Sequence, residues 1–231
     1  MILYFANIKI GAKMSVITVE RKILKKNDEI AADNRNTFSK YRIYTINMLS
    51  SPGSGKTTLL EKTIAHLNGE IPLAVVEGDV QTDRDAQRIS KYDVPVVQIV
   101  TNGGCHLEAK LVQDALPNFE LAKLDLLIIE NVGNLVCPSN YDLGENKKIV
   151  IASTTEGDDK PIKYPNMFRV SDVCIINKID LLAYVDFNID QFKTYATQIN
   201  PSLQFFETSA KTGEGISEWA RWLKNQIKNS Q

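Results

Sequence analysis

Cysteine and histidine are scarce in this 231-residue sequence, which contains three cysteines and two histidines. So few cysteines cannot form a disulfide framework, and without an export signal they favour a reducing, cytoplasmic location in which thiols stay free. The formal net charge is only −1, which predicts neither nucleic acid nor a membrane surface as a partner. No apolar run approaches the roughly 18 to 20 residues that a membrane-spanning helix requires.

Short apolar segments alternate with segments of helical periodicity through most of the chain. This alternation is typical of an α/β fold with a mainly parallel central sheet flanked by helices on both faces. We predict strands at 43–49, 73–77, 94–100, 124–130, 148–153, 173–177 and 203–207, and helices at 57–67, 82–91, 107–116, 187–199 and 216–227.

The domain organisation predicted from these segments is simple. We expect residues 1–18 to be a disordered extension or the product of a start assigned too early, since Met14 offers a second start. We predict that residues 19–41 form an N-terminal helix, which packs on a single α/β domain formed by residues 42–231. Its length is sufficient for one full hydrophobic core.

A glycine-containing loop follows the first predicted strand and leads directly into a helix. Segment 50–58 reads S-S-P-G-S-G-K-T-T, which matches the Walker A pattern G-x-x-x-x-G-K-S/T except that Ser50 replaces the first glycine. In such a loop backbone N–H groups surround a phosphate, Lys56 reaches the β- and γ-phosphates, and Thr57 ligates Mg²⁺. A chance turn containing a lysine is the alternative, but the strand–loop–helix context favours a P-loop NTPase. The predicted nucleotide contacts are Gly53, Ser54, Gly55, Lys56, Thr57 and Thr58.

A second motif predicts that the nucleotide carries guanine. The strand at 173–177 ends in N-K-I-D, and the Asp180 carboxylate can accept from the ring N–H and the exocyclic amine of guanine, a donor pair that adenine lacks. Asp180 as a helix cap is the alternative for this tetrapeptide alone. The T-S-A-K segment at 208–211 follows in the correct order and favours base recognition. The predicted contacts are Asn177, Lys178, Asp180, Ser209, Ala210 and Lys211.

Acidic residues follow the strands that we expect beside the phosphate loop. We assign Glu130 to the Walker B position, contacting Mg²⁺ directly or through water, and Asp79 to a second Mg²⁺-associated carboxylate, with Asp85 behind it. Asp79 or Asp85 is also a candidate for orienting the attacking water. Gly133 is the predicted hinge whose N–H senses the γ-phosphate. Helix capping is the alternative function for such acids. With Lys56, the carboxylates Asp79, Glu130 and Asp85 form the predicted catalytic set.

Cysteine and histidine are concentrated after two of these strands. Cys105 and His106 follow the strand at 94–100, and Cys137 follows the strand at 124–130. Two thiolates and an imidazole suit Zn²⁺ or Ni²⁺, but a closed structural site has four ligands. The fourth coordination position is either open to an exchangeable ligand or filled by a residue from a second copy of the chain across a two-fold axis. The alternative is that the cysteines are small buried apolar residues, to which we assign Cys174.

The chain connects the predicted metal site to the nucleotide site. Cys137 lies four residues after Gly133, so at most about 14 Å of extended chain separates them. We therefore expect movement of Gly133 with the γ-phosphate to displace a metal ligand.

Together these motifs resemble the HypB-type GTPases, which assist nickel insertion into nickel–iron hydrogenases. The resemblance covers most of residues 19–228 and rests on segments 50–58, 77–83, 104–107, 130–138 and 177–180. It implies a GTP-dependent homodimer with slow intrinsic hydrolysis and a Zn²⁺ or Ni²⁺ site at the dimer interface. It also implies a small zinc-containing partner, HypA, with which nickel is handed on toward the hydrogenase large-subunit precursor.

The leading hypothesis is therefore an Mg²⁺-dependent GTPase acting as a metallochaperone switch for hydrogenase maturation. One alternative is a related maturation GTPase for another nickel or cobalamin enzyme, of the urease accessory type. The other is a non-enzymatic metal-binding protein that its nucleotide only stabilises. A P-loop small-molecule kinase would not need the segment N-K-I-D.

Overall fold

The computed structural model describes residues 19–67, 69–81 and 84–230. The predicted extension at 1–18 lies outside the described residues. No helix within the described ranges is both long and apolar enough to cross a membrane.

The centre of the fold is a seven-stranded sheet in which every strand pair is parallel, in the order β3-β2-β4-β1-β5-β6-β7. All seven predicted strands are present, with ends that differ by at most two residues. The predicted fold class is confirmed. The strands are β1 Tyr44–Ser50, β2 Leu73–Asp79, β3 Val96–Val100, β4 Leu126–Glu130, β5 Lys147–Ser153, β6 Val173–Asn177 and β7 Gln204–Glu207.

Eight α-helices lie within the described ranges. They are α1 Val19–Tyr41, α2 Lys56–Leu67, α3 Arg84–Ile89, α4 Ala109–Ala115, α5 Lys160–Lys163, α6 Pro165–Val170, α7 Ile189–Ile199 and α8 Ile216–Ser230. The predicted helix 187–199 begins two residues late, because the Asn188 side chain accepts from the Gln191 N–H and caps the first turn. The short helices α5 and α6 were not predicted.

Both faces of the sheet are covered. Buried side chains of α2 and α8 pack on one face, around the fully buried Trp219. The other face carries α1 with α4 at one end, and α6 with α7 at the other. Such burial on both faces explains why the strands read as continuous apolar runs in the sequence.

The long helix α1 holds the segment that leads into α4. The Asn34 amide donates to the carbonyls of Ala109 (2.9 Å) and Leu143 (3.0 Å), and the Ala109 N–H donates to the Asn27 side chain at 2.8 Å. Phe38 is 2% exposed and anchors α1 in the core. Helix α1 therefore fixes the start of α4, just beyond the predicted metal ligands.

Candidate functional site

The phosphate loop and the ends of β2 and β4 surround a cavity of about 410 Å³ at the carboxyl edge of the sheet. Gly53 and Gly55 have φ values of 77° and 90°, which glycine adopts without strain. A Cβ on Gly55 would lie 2.6 Å from Asn177 Nδ2, so this position has no room for a side chain. The cavity is lined by residues 50–58, Glu77, Gly78, Asp79, Val80, Asp85, Arg88, Val132 and Gly133.

Glu130 contacts both predicted phosphate-loop ligands. Its Oε1 accepts from Lys56 Nζ at 2.5 Å and from the Thr57 hydroxyl at 2.7 Å. Glu130 is fully buried, and its Oε2 has no hydrogen-bond partner among the described residues. Buried carboxylate and hydroxyl oxygens are the donors that Mg²⁺ prefers, so the residues present fit this ion.

The structure brings Glu130 together with Asp85 and with a residue that the sequence analysis missed, Glu77. One oxygen from each of these carboxylates lies within 4.8 Å of the other two. Glu77 stands opposite Glu130 in the parallel register of β2 and β4. The signal was present, because both predicted strands end in glutamate and parallel strand ends meet at one edge.

Burial and the charge of Glu130 raise the pKa of Glu77 to about 11. A carboxyl of this pKa is protonated near neutrality, so it can donate a hydrogen bond to the neighbouring Glu130 carboxylate. The facing pair then carries one negative charge, which the Lys56 ammonium compensates, instead of two.

Asp79 lines the cavity but is not part of this carboxylate cluster. Its Oδ1 accepts from the Val80 N–H at 2.6 Å. Of the two aspartates weighed from the sequence, the structure therefore places Asp85, and not Asp79, beside Glu130. Arg88 connects Asp85 to α2, because its guanidinium forms ion pairs with Asp85 (3.2 Å) and with Glu61 of α2 (2.6 Å).

Helix α3 ends earlier than predicted. The prediction was a helix at 82–91, whose first two positions lie outside the described residues, and α3, described over Arg84–Ile89, is followed by a 3₁₀ turn at Ser90–Tyr92. Asp93 ends that turn in the left-handed region at φ 56°, a conformation that stops a helix.

The two predicted base-recognition segments meet beside the phosphate loop. Asn177 Oδ1 accepts from the Ala210 N–H (3.1 Å) and the Thr208 hydroxyl (3.3 Å), while its Nδ2 donates to the Ser54 carbonyl at 2.9 Å. Lys178 Nζ donates to the Gly53 carbonyl at 2.6 Å. These contacts join the phosphate loop to the ends of β6 and β7.

The Asp180 side chain is held by the second of these segments. Its Oδ1 accepts from the Ser209 hydroxyl at 2.6 Å. Asp180 lies within the first turn of the 3₁₀ helix Ile179–Tyr184 and is not its N-cap, because Lys178 occupies that position. The remaining predicted contact, Lys211, is an exposed residue.

Cys105, His106 and Cys137 form a second cluster, in which one ligand atom of each residue lies within 4.8 Å of the others. Both cysteines are partly exposed, whereas Cys174 is buried in β6 as predicted. His106 Nδ1 lies 3.5 Å from Cys105 Sγ, and its Nε2 is buried without a hydrogen-bond partner among the described residues. Sulfur and imidazole nitrogen are donors for Zn²⁺ or Ni²⁺, so this site fits such an ion.

The electrostatics of the cluster favour a neutral imidazole. Burial lowers the pKa of His106, although Glu108 opposes this effect. A hydrogen bond with Cys105 raises the pKa of the Cys137 thiol, and burial and the charge of Cys105 act in the same direction. The His106 ring stacks on Tyr141 with centroids 3.9 Å apart and an interplanar angle of 28°.

The start of helix α4 differs from the prediction at 107–116. Helix α4 begins at Ala109, because Glu108 is extended (φ −104°, ψ 157°) and the Leu107 N–H donates to the Asn131 side chain at 3.0 Å. Residues 105–108 therefore remain outside the helix, in the loop that carries two of the three metal-ligand candidates.

The phosphate loop, the base-recognition segments and the cysteine–histidine cluster point to one group of proteins. The model of the CobW/HypB/UreG nucleotide-binding domain matches residues 44–207. The chain belongs to this family. It is 50% identical to the hydrogenase maturation factor HypB of Azotobacter chroococcum over 211 residues, which are 91% of this chain and 69% of that protein. Identity to the Escherichia coli K12 HypB is 44%, over 91% of this chain and 73% of that protein.

Solved structures agree with this assignment. The HypB crystal structure from Helicobacter pylori in complex with nickel matches with a TM-score of 0.84 and 41% identity, covering 88% of this chain and 96% of that one. HypB from Archaeoglobus fulgidus matches with a TM-score of 0.82 and 37% identity, over 88% and 99% of the two chains. The resemblance to HypB-type proteins is therefore confirmed.

Proposed function

We propose that this protein is a GTP-hydrolysing switch that assists nickel insertion into a nickel–iron hydrogenase. Its relatives are named hydrogenase maturation factors, and one similar structure is described as a nickel complex. The single observation that carries the proposal is the path of segment 130–137. This segment starts at Glu130, which contacts Lys56 and Thr57 of the phosphate loop, passes Gly133 in the wall of the cavity and ends at Cys137 in the cysteine–histidine cluster.

The proposed hydrolytic site uses residues of the phosphate end of the cavity. Lys56 offsets charge on the β- and γ-phosphates, and Thr57 with Glu130 holds Mg²⁺, with Asp79 as the further ligand predicted from the sequence. Mg²⁺ supplies charge neutralisation at the transferred phosphate. Asp85 lies beside Glu130 and is the better placed of the two aspartates to orient the attacking water.

The proposed switch acts through Gly133. A Cβ there would lie 3.3 Å from the Cα and N atoms of Pro52, so Gly133 packs directly on the phosphate loop. When the Gly133 N–H donates a hydrogen bond to a γ-phosphate, Gly133 shifts toward the nucleotide. The residues that follow Gly133, including Cys137, then move with it. The Asn134 side chain accepts from the N–H groups of Val136 (2.7 Å) and Cys137 (3.4 Å), which makes this short segment move as a unit.

Cys105, His106 and Cys137 supply three ligands for Ni²⁺ or Zn²⁺, and the remaining position belongs to solvent or to the second subunit of a GTP-dependent homodimer. We propose that the protein works in the cytoplasm with a HypA-type zinc accessory protein, upstream of the hydrogenase precursor. One relative favours urease as a second enzyme that could receive the nickel. The Helicobacter hepaticus protein, 43% identical over 206 residues, is named a hydrogenase/urease maturation factor.

Metal titration in two nucleotide states tests the proposal. Wild type should bind Ni²⁺ or Zn²⁺ with different affinities in GDP and in a non-hydrolysable GTP analogue, and size exclusion should show dimers with the analogue. Cys137→Ala should abolish the difference, whereas the buried control Cys174→Ala should keep it. Equal affinity and equal size in both nucleotide states would contradict the switch.

Phosphate release separates the enzyme from a protein that its nucleotide only stabilises. We expect multiple turnovers of GTP with Mg²⁺, lost in Lys56→Ala. A wild type that never exceeds one turnover, with or without metal, would favour the non-enzymatic alternative.

A further inference from the structure

A second connection between the nucleotide cavity and the metal ligands runs through one buried side chain. Asn131 is fully buried at the end of β4. Its Oδ1 accepts from two backbone N–H groups, those of Leu107 (3.0 Å) and Val132 (2.9 Å). We propose that Asn131 is a positioning residue that couples the Cys105–His106 loop to the phosphate loop. This inference rests on the proposed function.

On the nucleotide side, Asn131 holds the residue before the hinge. Val132 precedes Gly133, and Gly133 packs on the backbone of Pro52 in the phosphate loop. A displacement of the phosphate loop or of Gly133 therefore reaches the Val132 N–H and the amide oxygen that accepts it.

On the metal side, Asn131 holds the residue after His106. The Leu107 side chain is fully buried over Gly78, where a Cβ would lie 2.8 Å from Leu107 Cγ. Gly78 lies between Glu77 and Asp79 in the wall of the nucleotide cavity. Leu107 is thus held by its N–H on Asn131 and by its side chain on β2, so a shift of either support displaces His106.

The chemistry of an amide suits this position. One oxygen accepts both N–H groups, and Nδ2 donates to the Asn47 Oδ1 at 3.3 Å. Asn47 in turn donates to the buried Glu145 at 3.1 Å. A buried polar group with all its partners in place is held rigidly, because leaving any partner unmade costs free energy. Asn131 therefore transmits a displacement instead of absorbing it.

Two substitutions separate this role from simple packing. Asn131→Asp keeps an oxygen that accepts both N–H groups and loses the donor to Asn47 Oδ1, so it isolates the shared acceptor oxygen in a variant whose thermal unfolding shows that it folds. Asn131→Ser keeps a short acceptor for the adjacent Val132 N–H but does not reach Leu107. Asn200→Ala is the matched control, because its amide donates to the carbonyls of Phe168 (3.1 Å) and Ser171 (2.8 Å), away from both sites.

The readout is the ratio of Ni²⁺ dissociation constants measured in GDP and in a non-hydrolysable GTP analogue, with thermal unfolding recorded for every variant. We expect a wild-type ratio different from one, reduced roughly 2- to 30-fold toward one in Asn131→Ser. Asn131→Asp and Asn200→Ala should retain the wild-type ratio. Should Asn131→Ser fail to fold, Asn47→Ala, which removes the acceptor that holds the Asn131 amide, tests the same connection and should also reduce the ratio.

The outcomes distinguish the two proposals. A wild-type ratio in a folded Asn131→Ser overturns the role of Asn131 and leaves the proposed function standing, and a wild-type ratio in Asn47→Ala has the same meaning. An equal loss in Asn131→Asp and Asn131→Ser overturns the assignment to the shared acceptor oxygen. A wild-type ratio of one overturns the proposed switch and this inference with it.

Discussion

Gly55 offers the sharpest test of how the phosphate loop and the base-recognition segment depend on each other. Replacement by alanine forces a side chain into the left-handed region, since φ is 90°, which costs about 1–2 kcal/mol. The new Cβ would also lie 2.6 Å from Asn177 Nδ2. That contact must displace the amide from the Ser54 carbonyl, which it now reaches at 2.9 Å. Loss of this buried hydrogen bond costs a further ~1–3 kcal/mol.

Gly53→Ala is the matched control. Gly53 has a similar φ of 77°, but a Cβ there meets no atom within 4 Å. Gly53→Ala should therefore show only the backbone strain, about 1–2 kcal/mol. The expected difference between the two variants is the ~1–3 kcal/mol of the displaced Asn177 amide.

Denaturant unfolding without nucleotide measures both free energies, and calorimetry measures GDP affinity. We expect Gly55→Ala to be the less stable variant and to lose more GDP affinity, because Asn177 also holds the Ala210 N–H at 3.1 Å. Equal losses in the two variants would refute the proposed dependence between the phosphate loop and Asn177.

Three further predictions concern single side chains. Glu77 binds a proton in the folded protein at pH values where the unfolded chain has lost it, so its contribution to the free energy of unfolding falls as pH rises above about 4.5 toward 11. Without Mg²⁺, Glu77→Gln should therefore gain stability relative to wild type between pH 5 and pH 8, and parallel pH profiles of the two proteins would contradict this. Tyr141→Leu should weaken Ni²⁺ binding roughly 10- to 100-fold, because the His106 ring loses its stacking surface. Tyr141→Phe keeps the aromatic ring and should retain more of the affinity than Tyr141→Leu, and equal affinities in wild type and Tyr141→Leu would exclude an orienting role. Asp180→Ala should reduce GTP affinity by at least ~100-fold and leave ATP binding unchanged, as measured in competition experiments. If the variant still preferred GTP over ATP, Asp180 would be excluded as the carboxylate that recognises guanine.

The fold was predictable because its strands are buried on both faces. A segment such as β4, in which all five residues are buried and the first four are apolar, is recognisable as an apolar run in the sequence. The phosphate loop and the N-K-I-D segment were found for a related reason. Their chemistry requires particular residue types at fixed spacing, directly after a strand.

Features that depend on contacts between distant segments were harder to predict. Both predicted strands end in glutamate, but only the parallel register of β2 and β4 sets Glu77 directly opposite Glu130. The start of α4 was placed two residues early because Leu107 gives its N–H to Asn131, 24 positions further along the chain. Periodicity reports local preference and misses such long-range competition.

The cysteine–histidine cluster lies between these cases. We expected Cys105, His106 and Cys137 to converge because they follow strands that end at the same edge of the sheet. Their ligand atoms do lie within 4.8 Å of one another, although β2 separates β3 from β4 and the two strands are not neighbours. The stacking of His106 on Tyr141 was not visible in the sequence, since nothing in the spacing of these residues places an aromatic ring beside the imidazole.

X-ray absorption spectroscopy of bound Ni²⁺ tests the central claim most directly, because it counts sulfur ligands in each nucleotide state. The proposed switch predicts that the number or the distance of sulfur neighbours differs between the GDP complex and the complex with a non-hydrolysable GTP analogue. It also predicts that this difference disappears in Cys137→Ala. Identical nickel spectra in the two nucleotide states of the wild-type protein would contradict it.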